Sequence, residues 1–193
     1  MRRRFPNRKD SIILAAIDII NDSGLQSLST KELARRQEIN ESLLYKYFKS
    51  KDDIIVAVLE YYSAFDESIN QTVSERELPF KEKILEYYRL YMEYYENYPA
   101  ITAVLFSYHS FLKDPVTQEL VKDIFDKRSR FLAGLVAHGI EKGEVSGSFT
   151  AQEITAILFG FSREMISRWW TDGFTYSLKE HTQATLKKLL ELL

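Results

Sequence analysis

Ser29-Thr30-Lys31-Glu32-Leu33-Ala34-Arg35-Arg36-Gln37-Glu38-Ile39-Asn40-Glu41-Ser42-Leu43-Leu44-Tyr45-Lys46-Tyr47-Phe48-Lys49-Ser50-Lys51-Asp52-Asp53 is the stretch whose reading decides the fold. Ser29 and Glu32 have the spacing of a capping box, in which each side chain satisfies a backbone N–H at a helix entrance. They open a short helix that runs through Leu33 and Ala34 to about Arg36. Gln37-Glu38-Ile39 then reads as a turn, and Asn40 as the N-cap of a third short helix over residues 41–47. Ser50 to Asp53 resembles a further capping box. Beyond it Ile54, Ile55, Val58, Leu59, Tyr62 and Phe65 predict one long helix toward residue 74.

Upstream, Asn7 is placed to cap a first helix whose Ile12, Ile13, Ala16, Ile17 and Ile20 form one apolar stripe at helical period. Asp22-Ser23-Gly24 ends it, glycine being suited to positive φ after a helix. Two short helices joined by a tight turn and packed on a longer first helix make a helix-turn-helix pattern.

Charge divides the chain at the same place. Residues 1–51 hold 11 Lys/Arg against 6 Asp/Glu, whereas residues 52–193 hold 15 against 22. A basic head at 1–51 on an acidic body at 52–193 suits a chain that sets one end on a polyanion, although an exposed basic tail would give the same balance. Arg8, Lys9, Lys31 and Lys51 each fall in the first turn of an expected helix. Cations there oppose the helix dipole, and an arriving phosphate reverses that sign because it meets N–H groups and a cation together. Solvated lysines with long stems are the alternative.

The stretch Ser29-Thr30-Lys31-Glu32-Leu33-Ala34, then Ile39-Asn40, then Leu44 to Ile54 with its Leu-Tyr-x-x-Phe-x-x-Lys pattern, resembles the tetracycline-repressor (TetR) family. The resemblance covers residues 8–55. It implies a three-helix DNA-binding head, a homodimer on double-stranded operator DNA, and repression relieved when a small molecule, partly apolar, binds an all-helical body. It also implies that Ser29, Thr30 and Lys31 lie where the second helix meets phosphate. Ser42, Leu43 and Lys46 then fall on the exposed face of the recognition helix, Tyr45, Tyr47 and Lys51 at phosphate-contacting positions, and Phe48 at a packing position. The departure is Glu38, which stands where the family usually has glycine.

Tyr45 and Tyr47 lie two residues apart and cannot both face one core if helical. Lys46 and Ser42 each reach either a base edge or a phosphate, and Leu43 reaches only a thymine methyl. The Arg2-Arg3-Arg4 arm is either a minor-groove contact or a free basic tail.

The body carries helical patterns at residues 80–97, 115–142 and 151–170, with a shorter segment at 98–112 and a last amphipathic helix from 178 to the C-terminus. Seven Gly and four Pro supply few turn signals, so the expected class is all-α. Tyr91, Tyr94 and Tyr95, with Phe106 and His109, are candidates for an effector pocket, since aromatics with polar tips hold an apolar ligand and anchor one polar group. Partition of those rings between core and solvent is the competing reading. His109 is the best candidate for a buried polar group, as ligand contact or as a satisfied core histidine. Phe161, Met165 and Trp169, with Leu186 and Leu189, are candidates for a dimer interface of two helices per chain. The alternative is that the final helix folds onto its own body.

The chain has no cysteine, and its three histidines are scattered. No Gly-rich phosphate loop, nucleophile–base pair or metal spacing is present, so neither an enzyme nor a cofactor or metal is expected. No apolar run has the length of a membrane span, which leads to the expectation of a cytoplasmic protein. A helical adaptor, and an activator or constitutive repressor on the same scaffold, remain rivals to a ligand-released repressor.

Overall fold

The computed structural model describes residues 7–145 and 149–192. The Arg2-Arg3-Arg4 arm, Gly147 and Leu193 lie outside the described residues. In chain order the helices are α1 (Arg8–Ser23), α2 (Thr30–Arg36), α3 (Glu41–Leu44), α4 (Lys51–Ser63), α5 (Asp66–Glu75) and α6 (Phe80–Asn97). They continue as α7 (Thr102–Phe106), α8 (Tyr108–Lys113), α9 (Gln118–Glu141), α10 (Ala151–Thr171) and α11 (Leu178–Leu190). No strand occurs among the described residues, and the fold is all-α as expected.

The helices gather into two compact units. The first takes the chain up to Ala64 and residues 100–124. In it α1 is capped by Asn7, whose Oδ1 accepts the Asp10 N–H at 2.9 Å. All five stripe residues are buried, and so are Ala15 and Ile19, because α1 packs on α2, α4 and α7 at once. Gly24 stops the helix at φ 80° while its N–H donates to Ile20 O.

The capping boxes come out only in part. Ser29 Oγ accepts the Glu32 N–H at 3.1 Å, but the Glu32 carboxylate turns away to Arg35 and Arg36. Asn40 is extended but makes no side-chain cap. Ser50 Oγ accepts the Asp53 N–H, and Asp53 returns to the Lys49 N–H, one residue earlier than a regular box requires. The third helix is shorter than expected. It closes at Leu44, and residues 45–47 tighten into turns with Lys46 N–H on Leu43 O and Tyr47 N–H on Leu44 O.

The single helix expected from Lys51 to residue 74 is two helices, α4 and α5. At the end of α4, Ser63 Oγ donates back to Leu59 O at 3.1 Å, a contact that competes with the backbone ladder and bends helices. Asp66, the first residue of α5, is held by Arg128. Both side chains act where continuous helical periodicity conceals a break.

The second unit comprises residues 65–99 and 125–193. Its core is the aromatic face of α6, with Tyr87, Tyr88, Tyr91 and Tyr95 buried. Phe80 lies so close to Gly139 of α9 that a Cβ there would meet the ring at 2.6 Å. Helix α11 lies on α6 and α10 of its own chain and buries Leu178, Thr182, Leu186 and Leu190, while Gln183 Nε2 donates to Leu85 O. The apolar stripe expected to lack cover in the chain is therefore covered by it. Trp169 is likewise internal, its Nε1 donating to Tyr176 O at 2.8 Å and its ring edge-on to Phe174. Trp169 and Leu186 thus move from a candidate interface to the protomer core, because the hairpin of α10 and α11 closes on itself.

Candidate nucleic-acid interface

The turn between α2 and α3 sets the geometry of the head. Ile39 N–H donates to Ala34 O at 3.0 Å and Glu38 N–H to Arg35 O at 3.3 Å, the paired bonds of a Schellman motif. Glu38 occupies its left-handed position at φ 52°, where a Cβ costs about 1 kcal/mol relative to glycine. The turn keeps the conformation that glycine usually supplies, so α3 is not re-aimed by the substitution at this position.

Across that turn Thr30 Oγ1 donates to Glu41 Oε2 at 2.9 Å, joining the first residues of α2 and α3. Phe48 is buried beneath them, with Lys9 Nζ 5.5 Å from its ring centroid. Leu44 is buried alongside, and together they fix the segment that follows α3 to the head.

Around this anchor Ser29, Lys31, Ser42, Tyr45, Lys46 and Tyr47 are exposed, and Thr30, Leu43 and Lys51 are half-buried. Tyr45 is 50% exposed and Tyr47 41%, which is unusual for rings in a small head. Both leave the core because they follow α3 in turns rather than continuing its helix. The second-helix entrance, α3 with its turn, and the first residue of α4 thus supply the nine residues between Ser29 and Lys51 expected to touch DNA.

The cations are of two kinds. Arg35 and Arg36 are neutralised by Glu32, and Arg36 also by Asp22 at 2.8 Å. Those two guanidiniums hold the Glu32 carboxyl at about 2, well below the usual carboxylate range, with partly opposing desolvation. Lys31, Lys46 and Lys51 form no ion pair with any described residue. Glu41 was missed by sequence reasoning. Its contact crosses the turn, and only the tertiary approach of two helix starts reveals it.

The effector candidates divide between the units. Tyr91, Tyr94 and Tyr95 belong to the second, Phe106 and His109 to the first. His109 is exposed, so the expectation of a buried polar histidine is corrected: α8 is short and turns it outward. Tyr91 OH donates to Asp66 Oδ1 at 3.0 Å, and Phe65 packs on Tyr94 at 4.8 Å. Burial pushes the Tyr88 and Tyr91 phenols well above their ordinary range. A groove of about 400 Å³ lies elsewhere in the second unit, lined by Arg76, Lys83, Leu135, His138 and Lys142 among others. It is open, Arg76 is bound to Glu86, and Glu144 on its wall accepts the Phe80 N–H. No effector candidate lines it.

A head in which a short helix, a left-handed turn and an exposed second helix are fixed on a longer one defines the class of helix-turn-helix DNA-binding regulators. Residues 12–58 match the family of bacterial regulatory proteins known as the tetR family. It is similar to the fatty acid metabolism regulator protein of Bacillus subtilis, with 21% identity over 93% of this chain and 92% of that protein. Its fold matches the crystal structure of FadR from Bacillus subtilis in complex with stearoyl-CoA, with a TM-score of 0.78, 20% identity, and coverage of 93% of this chain and 96% of that one. It also matches the ketosteroid regulator KstR2 of Mycobacterium tuberculosis, with a TM-score of 0.84, 15% identity, and coverage of 97% and 95%. These proteins are named as regulators. Among the described residues no helix is long and apolar enough to cross a membrane.

Proposed function

We propose that the chain is a homodimeric repressor that binds operator DNA through its 1–51 head and is released when an acyl-bearing small molecule enters its 52–193 body. Its place of work on this reading is the cytoplasm, on the chromosome. The observation that carries the DNA side is the exposure of Tyr45, Lys46 and Tyr47 beside Lys31 and Lys51, none of these lysines being engaged by a carboxylate among the described residues. Ser29, Thr30, Lys31, Tyr45, Tyr47 and Lys51 serve the phosphates, and Ser42, Leu43 and Lys46 face the bases.

The acyl class comes from the similarity to the fatty acid metabolism regulator and to the structure holding stearoyl-CoA. The aromatic core of the second unit supports it, since packed rings, several with phenol tips, suit an apolar chain with one polar end. Phe161, Met165 and Leu189 remain the partner-facing candidates of the interface. Ile157, exposed one turn before Phe161 on α10, extends that face. Two heads must then sit about 34–36 Å apart to enter neighbouring major grooves. A tenfold loss of operator binding requires the effector to favour the other spacing by about 1.4 kcal/mol.

The test is light scattering of the purified chain followed by titration of its own promoter fragment with and without stearoyl-CoA. The proposal expects a dimer, a salt-sensitive complex and its dissociation by ligand. A monomer, or a complex indifferent to acyl ligands, contradicts it.

A further inference from the structure

Arg128 of α9 is 8% exposed, beside a cluster of buried aromatic rings. Asp66 holds it with two bonds, Nε to Oδ2 at 2.7 Å and Nη2 to Oδ1 at 2.9 Å. The Tyr91 hydroxyl also donates to Asp66 Oδ1, and the Tyr91 ring lies 5.2 Å from the guanidinium carbon. Tyr87 bridges onward, 4.8 Å from Tyr91 and 5.8 Å from Phe131. Four residues along α5 from Asp66, about 6 Å by helical rise, Asn70 Oδ1 is buried and accepts no hydrogen bond among the described residues.

A buried ion pair is a weak stabiliser, because desolvation of both charges offsets their attraction and an apolar filling often serves as well. A guanidinium is also a fork of N–H donors that fits the oxygen pair of another carboxylate and can equally donate to a single acyl carbonyl oxygen. The orphan acceptor on the same helix lacks a donor, such as the amide N–H of a pantetheine arm. Neither feature is needed by the DNA-binding surface.

We propose that Arg128 receives the polar acyl end of the effector, taking it in exchange for Asp66, while Asn70 accepts a donor from the same ligand. The proposal rests on the acyl-effector reading above. The shared chemistry is an acyl oxygen, from a free fatty acid or from a thioester. The exchange also gives the ligand a route to the head. Asp66 follows the α4 C-cap Ala64 by two residues, and α4 begins at Lys51. Loss of the Asp66 anchor therefore frees the start of α5 directly after the helix that leads from the head.

The experiment titrates a promoter complex with stearate and, separately, with stearoyl-CoA, using wild type, Arg128→Lys, Asp66→Asn and the double variant Asp66→Asn/Arg128→Met. The double variant leaves no unpaired carboxylate at the site, and unliganded operator affinity in the same titration reports folding. Release of wild type by either ligand, with its midpoint raised at least tenfold in the double variant, less in Arg128→Lys and lowered in Asp66→Asn, supports the proposal. The ligand that acts identifies the source of the acyl oxygen. Equal midpoints for wild type and the double variant overturn the role of Arg128 and leave the acyl effector standing. A wild type indifferent to both ligands overturns the acyl effector itself, and this proposal with it, before any variant is compared.

Discussion

Thr30 Oγ1 donates to the carboxylate of Glu41 at 2.9 Å, so the hydroxyl expected to meet a phosphate is engaged by an acid of the neighbouring helix before DNA arrives. The pair holds the starts of α2 and α3 together and places a negative charge within the surface proposed to face DNA. Any bound duplex must either satisfy that carboxylate with a donor, such as a cytosine amine, or tolerate it beside phosphate.

Glu41→Ala removes that charge. Affinity for random-sequence duplex then rises about fivefold at low salt, the scale of one fully water-screened charge interaction of about 1 kcal/mol, and discrimination between operator and random DNA narrows. Fluorescence anisotropy with both duplexes checks this, and equal affinity before and after substitution at every salt concentration speaks against it.

Glu38→Gly relieves the left-handed backbone at φ 52° without altering the Schellman bonds. Stability increases by about 1 kcal/mol and Tm by about 2–4 °C. A melting curve decides the matter. A lower Tm means that the entropy of an added glycine outweighs the strain.

Gly139→Ala pushes a methyl group to within 2.6 Å of the Phe80 ring, next to the N-terminus of α6. Atoms this near the backbone end of Phe80 have little room to yield, so the change costs about 1–3 kcal/mol. Denaturant unfolding measures it, and an unchanged midpoint shows that Phe80 moves freely.

Glu32 gives the head its pH dependence. Arg35 and Arg36 hold its folded carboxyl at about 2 against an ordinary 4.5. Because the folded value is the lower one, the contribution is complete above about pH 4.5 and disappears as pH falls toward 2. Asp22, Glu86 and Glu153 shift in the same direction through their own hydrogen bonds. Tm is therefore expected to drop between about pH 4.5 and pH 2, with a shallower drop in Glu32→Gln. Parallel curves for the two proteins contradict the assignment.

The head was legible because its information is local. Asn7, Ser29 and Ser50 act through backbone groups three residues away, and the α1 isoleucines have one spacing to satisfy. The break between α4 and α5 was not legible, since Asp66 is drawn to Arg128, 62 positions downstream. The Asp66–Arg128 pair and the Thr30–Glu41 contact likewise leave no local signal, because tertiary approach makes them. The pattern of Trp169 and Leu186 alone leaves partner and protomer open, because an apolar stripe looks the same whether its own chain or another covers it. Contact between α11 and α6 decides between the two, and it joins residues as far apart as Leu85 and Gln183.

The central claim is tested most directly by the salt dependence of duplex binding in wild type and Lys51→Ala. With Lys51 against a phosphate, the substitution weakens binding to operator and random DNA alike and flattens the log–log salt slope by roughly one unit. An unchanged slope, or a loss confined to one operator base pair, would contradict the account.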